Sequence, residues 1–316
     1  MRALITGASG FVGRYLVEAL RAAGTDVVAC GGPHERAGLI PVDMGEIASL
    51  RAALDIARPD VVFHLAAQTF VPESFASPVQ TYDTNALGTA RLTQAVRDYV
   101  AAGEPMPRIL FTSSAEVYGL RDAGEFPLRE TLEPRPATPY AASKAAAEAI
   151  LLAETRALGL HAVIARAFNH IGPGQSDRFV VPSLAHQLAA IAAGGAPLLL
   201  VGNLNAARDF LDVRDVVAAY VALARDGESG QTYNVCSGRA VKVRDLLRDL
   251  IAIAGVPVEV REDPQRFRPL DVPLFVGTAE KLEARTGWRP AVPLARSLRE
   301  IYDDALAATG NPPSSA

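Results

Sequence analysis

Cysteine is scarce in this sequence, and its scarcity excludes two ways of stabilising a fold. Only two cysteines occur among 316 residues, Cys30 and Cys236, and they lie far apart. A disulfide framework or a zinc site needs more cysteines than this. The five histidines show no spacing typical of metal ligands. We therefore expect no metal, and two buried thiols in a reducing cytoplasm.

Long apolar runs and an excess of positive charge are also missing. The apolar segment 184–201 is interrupted by His186, Gln187 and Gly194, so it lacks the roughly 18 uninterrupted apolar residues of a membrane span. The first residues do not show the pattern of a signal peptide. The net charge is −4 without a long basic run, whereas nucleic-acid-binding proteins usually carry a basic stripe. We expect a cytoplasmic protein that binds neither membranes nor nucleic acid.

Short apolar runs alternate with longer helical patterns in the first half of the chain. Strands are predicted at 3–6, 26–30, 61–65, 109–113 and 161–166, and helices at 10–23, 77–100 and 141–158. This alternation predicts an α/β fold with a Rossmann-type, doubly wound parallel sheet. In such sheets, ligands bind outside the carboxyl ends of the strands.

The pattern changes after about Phe168, where glycine and proline become dense and the predicted elements become shorter. Residues 233–235 could return one strand to the main sheet. We predict a dinucleotide-binding domain and a smaller, interleaved C-terminal substrate domain. The first is expected over 1–167 plus about 209–238, the second over 168–208 plus about 239–310, and residues 311–316 are expected to form a frayed tail.

A glycine-rich turn follows the first predicted strand and opens the first predicted helix. Glycines let backbone amides approach a pyrophosphate closely, and the helix N-terminus attracts its negative charge. The spacing is GxxGxxG. The turn predicts a dinucleotide site that includes Gly7, Ser9, Gly10, Phe11, Val12 and Gly13.

The end of the second strand lacks the acidic residue that usually binds the ribose hydroxyls of NAD. Gly31 stands there, and Arg36 follows. The missing acid removes repulsion against the 2′-phosphate of NADP, and Arg36 could pair with that phosphate, although a solvated loop arginine would give the same pattern. NADP(H) is therefore favoured, with NAD(H) as the alternative. Asp43 is placed to accept a hydrogen bond from the adenine amino group.

Tyr140 and Lys144 are four residues apart, which places both on one face of a helix. An ammonium beside a phenol lowers the pKa of the phenol. The phenol could then exchange a proton with a carbonyl or an alcohol near neutral pH. Ser114 follows the fourth strand and can hold the same oxygen atom.

Several motifs together resemble the extended short-chain dehydrogenases/reductases, in that family's order and over nearly the whole chain. They are GASGFVG at 7–13, HLAAQ at 64–68, NALGT at 85–89, SSAEVYG at 113–119 and YAASK at 140–144. The resemblance implies that Ser114, Tyr140 and Lys144 form the catalytic trio, and that Asn85 has a structural or proton-relay role. It implies further cofactor contacts from Met44, Leu65, Ala66, Ala67, Thr112, Phe168, His170 and Ile171, besides Tyr140 and Lys144. It also implies a homodimer, with the helices 77–100 and 141–158 forming a four-helix bundle across a two-fold axis.

The second half is similar, within that family, to GDP-mannose dehydratases and GDP-4-keto-6-deoxy-mannose reductases. The similar segments are FNHIGPGQ at 168–175, GNLNAARDF at 202–210 and RFRPLDVP at 266–273. Substrate contacts are implied for Gln68, Ser114, Ala115, Glu116, Tyr140, Asn169, Val180, Asn203, Arg208, Arg268 and Asp271. Both arginines offer forked, charged donors for a diphosphate, although surface pairs with Asp209 and Asp271 would use the same residues.

The dehydratases and the reductases share these motifs, so the reaction has to be chosen between them. A dehydratase needs an added acid and base, commonly Thr-x-Glu, and this chain has Ser114-Ala115-Glu116. Glu116, a fourth catalytic candidate, keeps dehydration open, but the reductases also carry Ser-x-Glu. The segment 268–273 resembles the reductases more. We predict NAD(P)H-dependent reduction of the C4 keto group of GDP-4-keto-6-deoxy-D-mannose to a GDP-6-deoxyhexose of the GDP-D-rhamnose type. The alternatives are a GDP-mannose 4,6-dehydratase, another nucleotide-sugar epimerase or reductase, and a non-catalytic dinucleotide sensor.

Overall fold

The computed structural model describes residues 1–33, 38–267 and 272–310 of the chain. The chain divides into two compact units. The first unit comprises 1–168, 217–235 and 278–288, and the second comprises 169–216, 236–277 and 289–316, as far as these residues are described. None of the helices in the described ranges combines the length and the apolar character needed to cross a bilayer.

The strands are numbered along the whole chain. They are β1 (Arg2–Thr6), β2 (Asp26–Gly31), β3 (Ile40–Pro41), β4 (Val61–His64), β5 (Arg108–Ser114), β6 (Ala162–Ala167), β7 (Asn169–Ile171), β8 (Leu198–Val201), β9 (Ala207–Asp212), β10 (Thr232–Val235), β11 (Ala240–Lys242), β12 (Glu259–Glu262) and β13 (Leu274–Phe275).

The α-helices are numbered in the same way, and short π-helical and 3₁₀ turns lie between some of them. The helices are α1 (Phe11–Ala22), α2 (Ile47–Ala57), α3 (Val71–Ala76), α4 (Pro78–Tyr82), α5 (Gly88–Ala101), α6 (Pro139–Leu158), α7 (Val180–Ala192), α8 (Val213–Asp226), α9 (Val243–Ala254), α10 (Glu280–Thr286) and α11 (Leu294–Gly310). A π-helical turn spans Asp83–Leu87, and 3₁₀ turns span Ala115–Tyr118, Ala123–Glu125 and Pro264–Arg266.

A seven-stranded parallel sheet forms the centre of the first unit. Its spatial order is β10-β6-β5-β4-β1-β2-β3, and each pair of neighbours is parallel. The strands β4 and β6 are buried at every residue, which is why they consist of apolar runs rather than alternating residues. This strand order is that of a doubly wound dinucleotide-binding sheet, so the predicted fold class is confirmed, including the strand predicted at 233–235.

Three helices pack side by side on one face of this sheet. Helix α5 contacts α2 on one side and α6 on the other, and the three helices bury leucines such as Leu54, Leu92 and Leu151 against strand residues such as Val62 and Ile109. Burying each such side chain contributes about 1.5–3 kcal/mol. This packing fixes α6, and with it the Tyr140 and Lys144 side chains, against β5 and β6.

The second unit has β9 at its centre. The strand β11 pairs with β9 in antiparallel orientation, and β7 and β13 pair with it in parallel. The strands β8 and β12 form a separate parallel pair. The helices α7, α9 and α11 bury an apolar cluster that includes Leu184, Leu247, Leu298, Ile171 and Phe210.

The compact units differ from the expected domains at two main places. Residues 209–216 belong to the second unit, because β9 pairs there with β7, β11 and β13. Residues 278–288 belong to the first unit, because the side chains of α10 bond within it. Lys281 Nζ donates to Gln231 Oε1 at 2.8 Å, and Arg285 Nε donates to the Asp226 carbonyl at 2.6 Å.

Candidate active site

The glycine turn lies between β1 and α1 and leaves little room for side chains. A Cβ on Gly13 would lie 2.3 Å from the Gly7 carbonyl oxygen, and a Cβ on Gly7 would lie 2.7 Å from the Ala66 amide nitrogen. Gly7 also has a φ of +72°, which glycine adopts without strain. Gly10 is the N-cap of α1, and glycine has no side chain that could occupy the amides of the first helical turn. The turn therefore fits a dinucleotide pyrophosphate.

Most predicted cofactor residues of the first unit lie at the carboxyl edge of its sheet. Leu65, Ala66 and Ala67 follow β4 directly, and Thr112 is near the end of β5. Ser9, Phe11 and Val12 belong to the glycine turn and to the start of α1. Strands that are parallel end at the same edge, so these positions come together with the glycine turn.

The remaining cofactor candidates lie on different elements, and they are divided between the two units. Asp43 and Met44 follow β3, and the Asp43 Oδ1 atom accepts a hydrogen bond from the Gly45 amide at 2.7 Å. Phe168 belongs to the first unit, whereas His170 and Ile171 lie on β7 in the second. Arg36 lies outside the described residues.

Ser114 ends β5 and begins a 3₁₀ turn, and this position orients its hydroxyl. The Ser114 Oγ atom accepts a hydrogen bond from the Glu116 amide at 3.2 Å. Its own proton is left for another acceptor, and the Ser114 side chain hydrogen-bonds the Tyr140 side chain. The geometry therefore brings Ser114 and Tyr140 together, as the sequence predicts.

Helix α6 carries Tyr140 in its first turn because its start is well defined. Thr138 Oγ1 accepts a hydrogen bond from the Ala141 amide at 3.0 Å, and Pro139 is the first helical residue. One turn further on, Lys144 Nζ donates to the Thr112 carbonyl at 2.8 Å and lies 4.9 Å from the centre of the Phe111 ring. The lysine is thus anchored to β5, the strand that ends at Ser114.

Burial is the largest cause of the pKa shifts of Tyr140 and Lys144. It raises the pKa of Tyr140 to about 12, with the Ser114 hydrogen bond acting in the opposite direction and the Glu116 charge adding to the rise. It lowers the pKa of Lys144 to about 7, against the attraction of Glu148. The net pKa of Tyr140 is therefore above its ordinary value, and the lowering effect predicted for Lys144 does not set it. The phenol is fully protonated at neutral pH, as a proton donor must be.

The helix predicted over 77–100 is not continuous. It is divided into α4 and α5 by the π-helical turn, and Asn85 lies in that turn. Asn85 Nδ2 donates to the Gln68 carbonyl and to Ser143 Oγ, each at 2.9 Å, and Asn85 Oδ1 accepts from the Gln68 amide at 2.8 Å. Both N–H hydrogens and the oxygen of the Asn85 side-chain amide are used in hydrogen bonds. They join the π-helical turn to Gln68 and to Ser143 of α6. These contacts favour the structural role over the relay.

His64 is the polar residue that the sequence interpretation missed. It is buried at the end of β4, where its Nδ1 lies 2.8 Å from Thr6 Oγ1 and its Nε2 lies 3.1 Å from Thr89 Oγ1. Thr89 Oγ1 donates its own proton to the Asn85 carbonyl, so it accepts from Nε2–H. In the neutral imidazole, Nδ1 is then the acceptor for the Thr6 hydroxyl. Burial, with a smaller contribution from the Lys144 charge, lowers the pKa of His64 to about 3.

The neutral His64 predicts a pH dependence of stability. Its pKa is lowered on folding, so only the unfolded chain takes up the proton between pH 6.5 and about 3. The stability is therefore present above pH 6.5 and is lost as the pH falls, by about 2 kcal/mol between pH 8 and pH 5. Urea unfolding of wild type and His64→Gln at both pH values measures this. His64→Gln should lack this part of the loss, whereas the exposed His161→Gln should retain it. An equal loss in wild type and His64→Gln would show that His64 does not titrate on unfolding.

The predicted substrate residues fall into two groups. In the first unit, the Gln68 side chain donates to the Phe70 carbonyl at 2.8 Å, and Ala115 and Glu116 form the 3₁₀ turn after Ser114. In the second unit, Asn169 is on β7, Val180 begins α7, Asn203 follows β8 and Arg208 is on β9. Arg268 and Asp271 lie outside the described residues.

The carboxylate of Asp209, the residue that follows Arg208, is bound to a neighbouring turn. Asp209 Oδ1 accepts from the Ser237 amide at 2.7 Å and from Ser237 Oγ at 2.6 Å, and Oδ2 accepts from the Gly238 amide at 2.9 Å. Asp209 is fully buried, so its carboxylate holds the turn before β11.

Within the described ranges, His, Cys, Asp and Glu side chains form no group of three that could hold a metal ion.

The fold and the site together define an extended short-chain dehydrogenase/reductase. The sequence model of the GDP-mannose 4,6-dehydratase family matches residues 4–301, and the chain belongs to this family. The predicted resemblance is thereby confirmed.

Known proteins resemble the chain over nearly all of its length. It is 41% identical over 304 residues to the GDP-6-deoxy-D-mannose reductase of Pseudomonas aeruginosa, covering 96% of each chain. The structure of RMD from Pseudomonas aeruginosa complexed with NADPH has a TM-score of 0.87 and 39% identity, over 97% of this chain and 99% of that one. The UDP-glucose 4-epimerase of Thermus thermophilus in complex with NAD has a TM-score of 0.85 and 33% identity, over 98% and 100%.

Proposed function

We propose that the chain reduces the C4 keto group of GDP-4-keto-6-deoxy-D-mannose to a GDP-6-deoxyhexose. The observation that carries the proposal is the 41% identity to a GDP-6-deoxy-D-mannose reductase across 96% of both chains. The site supports it, because Ser114, Tyr140 and Lys144 meet at the carboxyl edge of the sheet. A non-catalytic sensor would not need this arrangement of acid, orienting hydroxyl and buried cation.

The proposed roles follow from the protonation of each group. When bound, NADPH supplies the hydride that reduces the substrate carbonyl. Tyr140, protonated at neutral pH, gives its proton to the carbonyl oxygen as that oxygen becomes an alcohol. Ser114, whose Oγ already accepts from the Glu116 amide, donates a hydrogen bond to the same oxygen. Arg208 of the second unit is proposed to bind the diphosphate of the substrate, together with Arg268.

The NADPH site is proposed to consist of the glycine turn, the segment 65–67, Thr112 and Lys144. Gly31, the last residue of β2, carries no acidic side chain at the position where NAD-binding proteins usually have an acid that would repel a 2′-phosphate. The structural neighbours include one protein complexed with NADPH and one with NAD. NADP(H) is therefore the favoured cofactor, and NAD(H) the alternative.

The deciding experiment incubates the protein separately with GDP-mannose and with GDP-4-keto-6-deoxy-D-mannose, with and without NADPH, and identifies the products by mass. A reductase consumes NADPH and adds two hydrogens to the keto sugar. Loss of water from GDP-mannose without net NADPH consumption would replace the proposal by dehydration. If neither sugar changes, the substrate assignment fails.

Dehydration is the second candidate function, because the Glu116 carboxylate acts on Tyr140 and so lies close to the site. A reductase expels no water and should keep most of its activity in Glu116→Gln. A dehydratase should lose nearly all of it, because the carboxylate would be its acid or base. The variant preserves the Glu116 amide, so the Ser114 hydroxyl keeps its orientation.

Cofactor preference provides a prediction at Gly31. In Gly31→Asp, a carboxylate would face the 2′-phosphate of NADPH and repel it. We expect the ratio of kcat/KM for NADPH to that for NADH to fall by about tenfold or more, which corresponds to about 1.4 kcal/mol. Initial rates with both cofactors measure the ratio. A wild type that strongly prefers NADH would contradict the interpretation of Gly31.

We also propose a homodimer formed through a four-helix bundle. Apolar side chains are exposed on the helices that precede α5, at 46% for Phe75, 79% for Val79 and 50% for Leu87. The helices α3 and α4 contact α6, whose outer face exposes Ala146 and Leu158. An apolar surface of this kind usually marks an interface, and the helical segments on both sides are the ones expected to pair.

The dimer predicts a specific effect of charge at its centre. Val79→Glu would bury a carboxylate between the two copies, so it should convert the dimer into a monomer at micromolar concentration. The control is Ile56→Glu, which places the same charge at a 61% exposed apolar residue on α2, outside this surface. Sedimentation velocity distinguishes the two variants. A wild type that sediments as a monomer would remove the proposal.

Two further proposals concern location and domains. Both cysteines are buried thiols, which suits the reducing cytoplasm that we propose as the location. We propose that the first unit binds the dinucleotide and that the second supplies most of the contacts to the nucleotide sugar.

A further inference from the structure

Three buried polar side chains follow one another on one face of α6. Tyr140, Lys144 and Glu148 are spaced four residues apart and expose only 8, 3 and 2% of their surface. The proposed reaction uses the first two, and Glu148 has no role in it. A buried carboxylate is costly unless it is paired and hydrogen-bonded, so its partners indicate what it does.

Both oxygens of Glu148 have partners on neighbouring strands. Oε1 accepts from Ser113 Oγ at 2.5 Å and from Arg166 Nε at 2.9 Å, and Oε2 accepts from Arg166 Nη2 at 2.7 Å. Ser113 precedes Ser114 on β5. Arg166 is on β6, and its guanidinium stacks 4.7 Å from the centre of the Tyr118 ring. The carboxylate therefore ties α6 to the strand that carries the catalytic serine and to the next strand.

Glu148 is also the negative charge that acts on Lys144. Among the described residues near Lys144, the Tyr140 phenol on α6, the His64 imidazole on β4, and Phe111, Thr112 and Ser113 on β5 are uncharged at neutral pH. Burial favours the neutral amine, and Glu148 opposes this effect. Arg166 on β6 is the remaining charge of the cluster, and its pairing with both oxygens holds the Glu148 carboxylate in place.

We propose that Glu148 is a positioning residue of this site: its carboxylate, fixed by Ser113 and Arg166, favours the ammonium form of Lys144 against the effect of burial and ties α6 to the strand that ends at Ser114. Only the ammonium carries a positive charge beside the phenol, and besides the hydrogen donated to the Thr112 carbonyl it has two hydrogens for a bound cofactor. The relevance to catalysis rests on the proposed reductase function. The effect on Lys144 is a property of the free protein and is tested there.

Lysine NMR gives a direct measurement. The chain has three lysines, Lys144, Lys242 and Lys281, so protein labelled with ¹³C at lysine Cε shows three signals, and Lys144→Met identifies the one of interest. We expect Glu148→Gln to lower the pKa of Lys144 by about one unit or more. Ser113→Ala removes one hydrogen bond but keeps the charge, and should change this pKa by no more than a few tenths. Glu148→Asp keeps the charge and should retain most of the wild-type pKa.

Two results would overturn the proposal. One is a folded Glu148→Gln in which Lys144 titrates as in the wild type. The other is a Ser113→Ala that lowers the pKa of Lys144 as much as Glu148→Gln does, because the cause would then be displacement of α6. If Glu148→Gln does not fold, since Arg166 has lost its partner, the double variant Glu148→Gln/Arg166→Met is compared with Arg166→Met, because the Arg166 charge is absent from both and the comparison again isolates the Glu148 charge.

Kinetics separate this proposal from the proposed function. With the keto sugar as substrate, the alkaline limb of kcat/KM in Glu148→Gln should move to lower pH by the same amount as the Lys144 pKa, with Ser113→Ala unchanged. An alkaline limb that stays in place while the NMR signal moves would overturn the catalytic part. If the keto sugar is not reduced at all, the proposed function fails, and the NMR comparison still decides the role of Glu148.

Discussion

Tyr140→Phe should lower kcat for reduction of the keto sugar by about 10²–10⁴-fold while NADPH still binds. The substitution removes only the phenol oxygen, which hydrogen-bonds the Ser114 side chain and is fully protonated at neutral pH because burial raises the pKa of Tyr140 to about 12. General acid catalysis commonly contributes that factor, which corresponds to about 2.7–5.4 kcal/mol of transition-state stabilisation. Without the acid, the developing alkoxide would have to take its proton from water.

A matched control separates the loss of the proton donor from the loss of a buried hydroxyl group in the core. Tyr118→Phe also deletes a buried phenol oxygen, one that lies 2.7 Å from Asn234 Oδ1, and it should lose stability but little activity. Single-turnover rates at saturating NADPH, with cofactor binding followed by its fluorescence, measure both variants. A Tyr140→Phe that turns over at the wild-type rate would remove Tyr140 as the proton donor.

The sequence predicts the first unit well because its signals are local. Parallel strands buried on both faces appear as apolar runs, and the glycine turn joins the first of them to a helix. The pair Tyr140 and Lys144 needs only the helical period to share a face. The fold class, the strand at 232–235 and the meeting of Ser114 with Tyr140 all follow from such signals.

Long-range pairings are what the sequence did not predict. The placement of β9 in the second unit depends on β7, β11 and β13, three short strands from different parts of the chain. The helix predicted over 77–100 has a regular apolar pattern, but Asn85 bonds to Gln68 and Ser143 and so accompanies a π-helical turn. Nothing local in the sequence distinguishes that asparagine from an ordinary helical one.

The protonation states also depend on tertiary structure. The expected effect of Lys144 on the phenol assumes that the two groups interact in water-like surroundings, whereas burial is the largest cause of both pKa shifts. His64 is the clearest omission. Its neutral state follows from two threonines on different elements, although a histidine that ends a buried strand beside Thr6 could have been recognised as a hydrogen-bonded core residue.

Gly13→Ala should weaken cofactor binding more than a methyl group added at any other position of the glycine turn. The new Cβ would lie 2.3 Å from the Gly7 carbonyl oxygen and 2.7 Å from the Ala8 Cα. Both are backbone atoms, so the turn itself must move rather than a side chain. Overpacking of this kind costs about 1–3 kcal/mol of stability, and a displacement of about 1 Å in a binding site can cost about 10²-fold.

The measurement is NADPH affinity by fluorescence titration, together with the thermal unfolding midpoint, for Gly13→Ala and a matched control. Gly124→Ala is that control, because no heavy atom lies within 4 Å of its added Cβ and it sits in a 3₁₀ turn away from the glycine turn. We expect Gly124→Ala to bind NADPH normally, with stability within about 0.5 kcal/mol of the wild type. If Gly13→Ala binds NADPH as tightly as Gly124→Ala does, the pyrophosphate does not lie on this turn, because a backbone shift at Gly7 and Ala8 would then leave the cofactor unaffected.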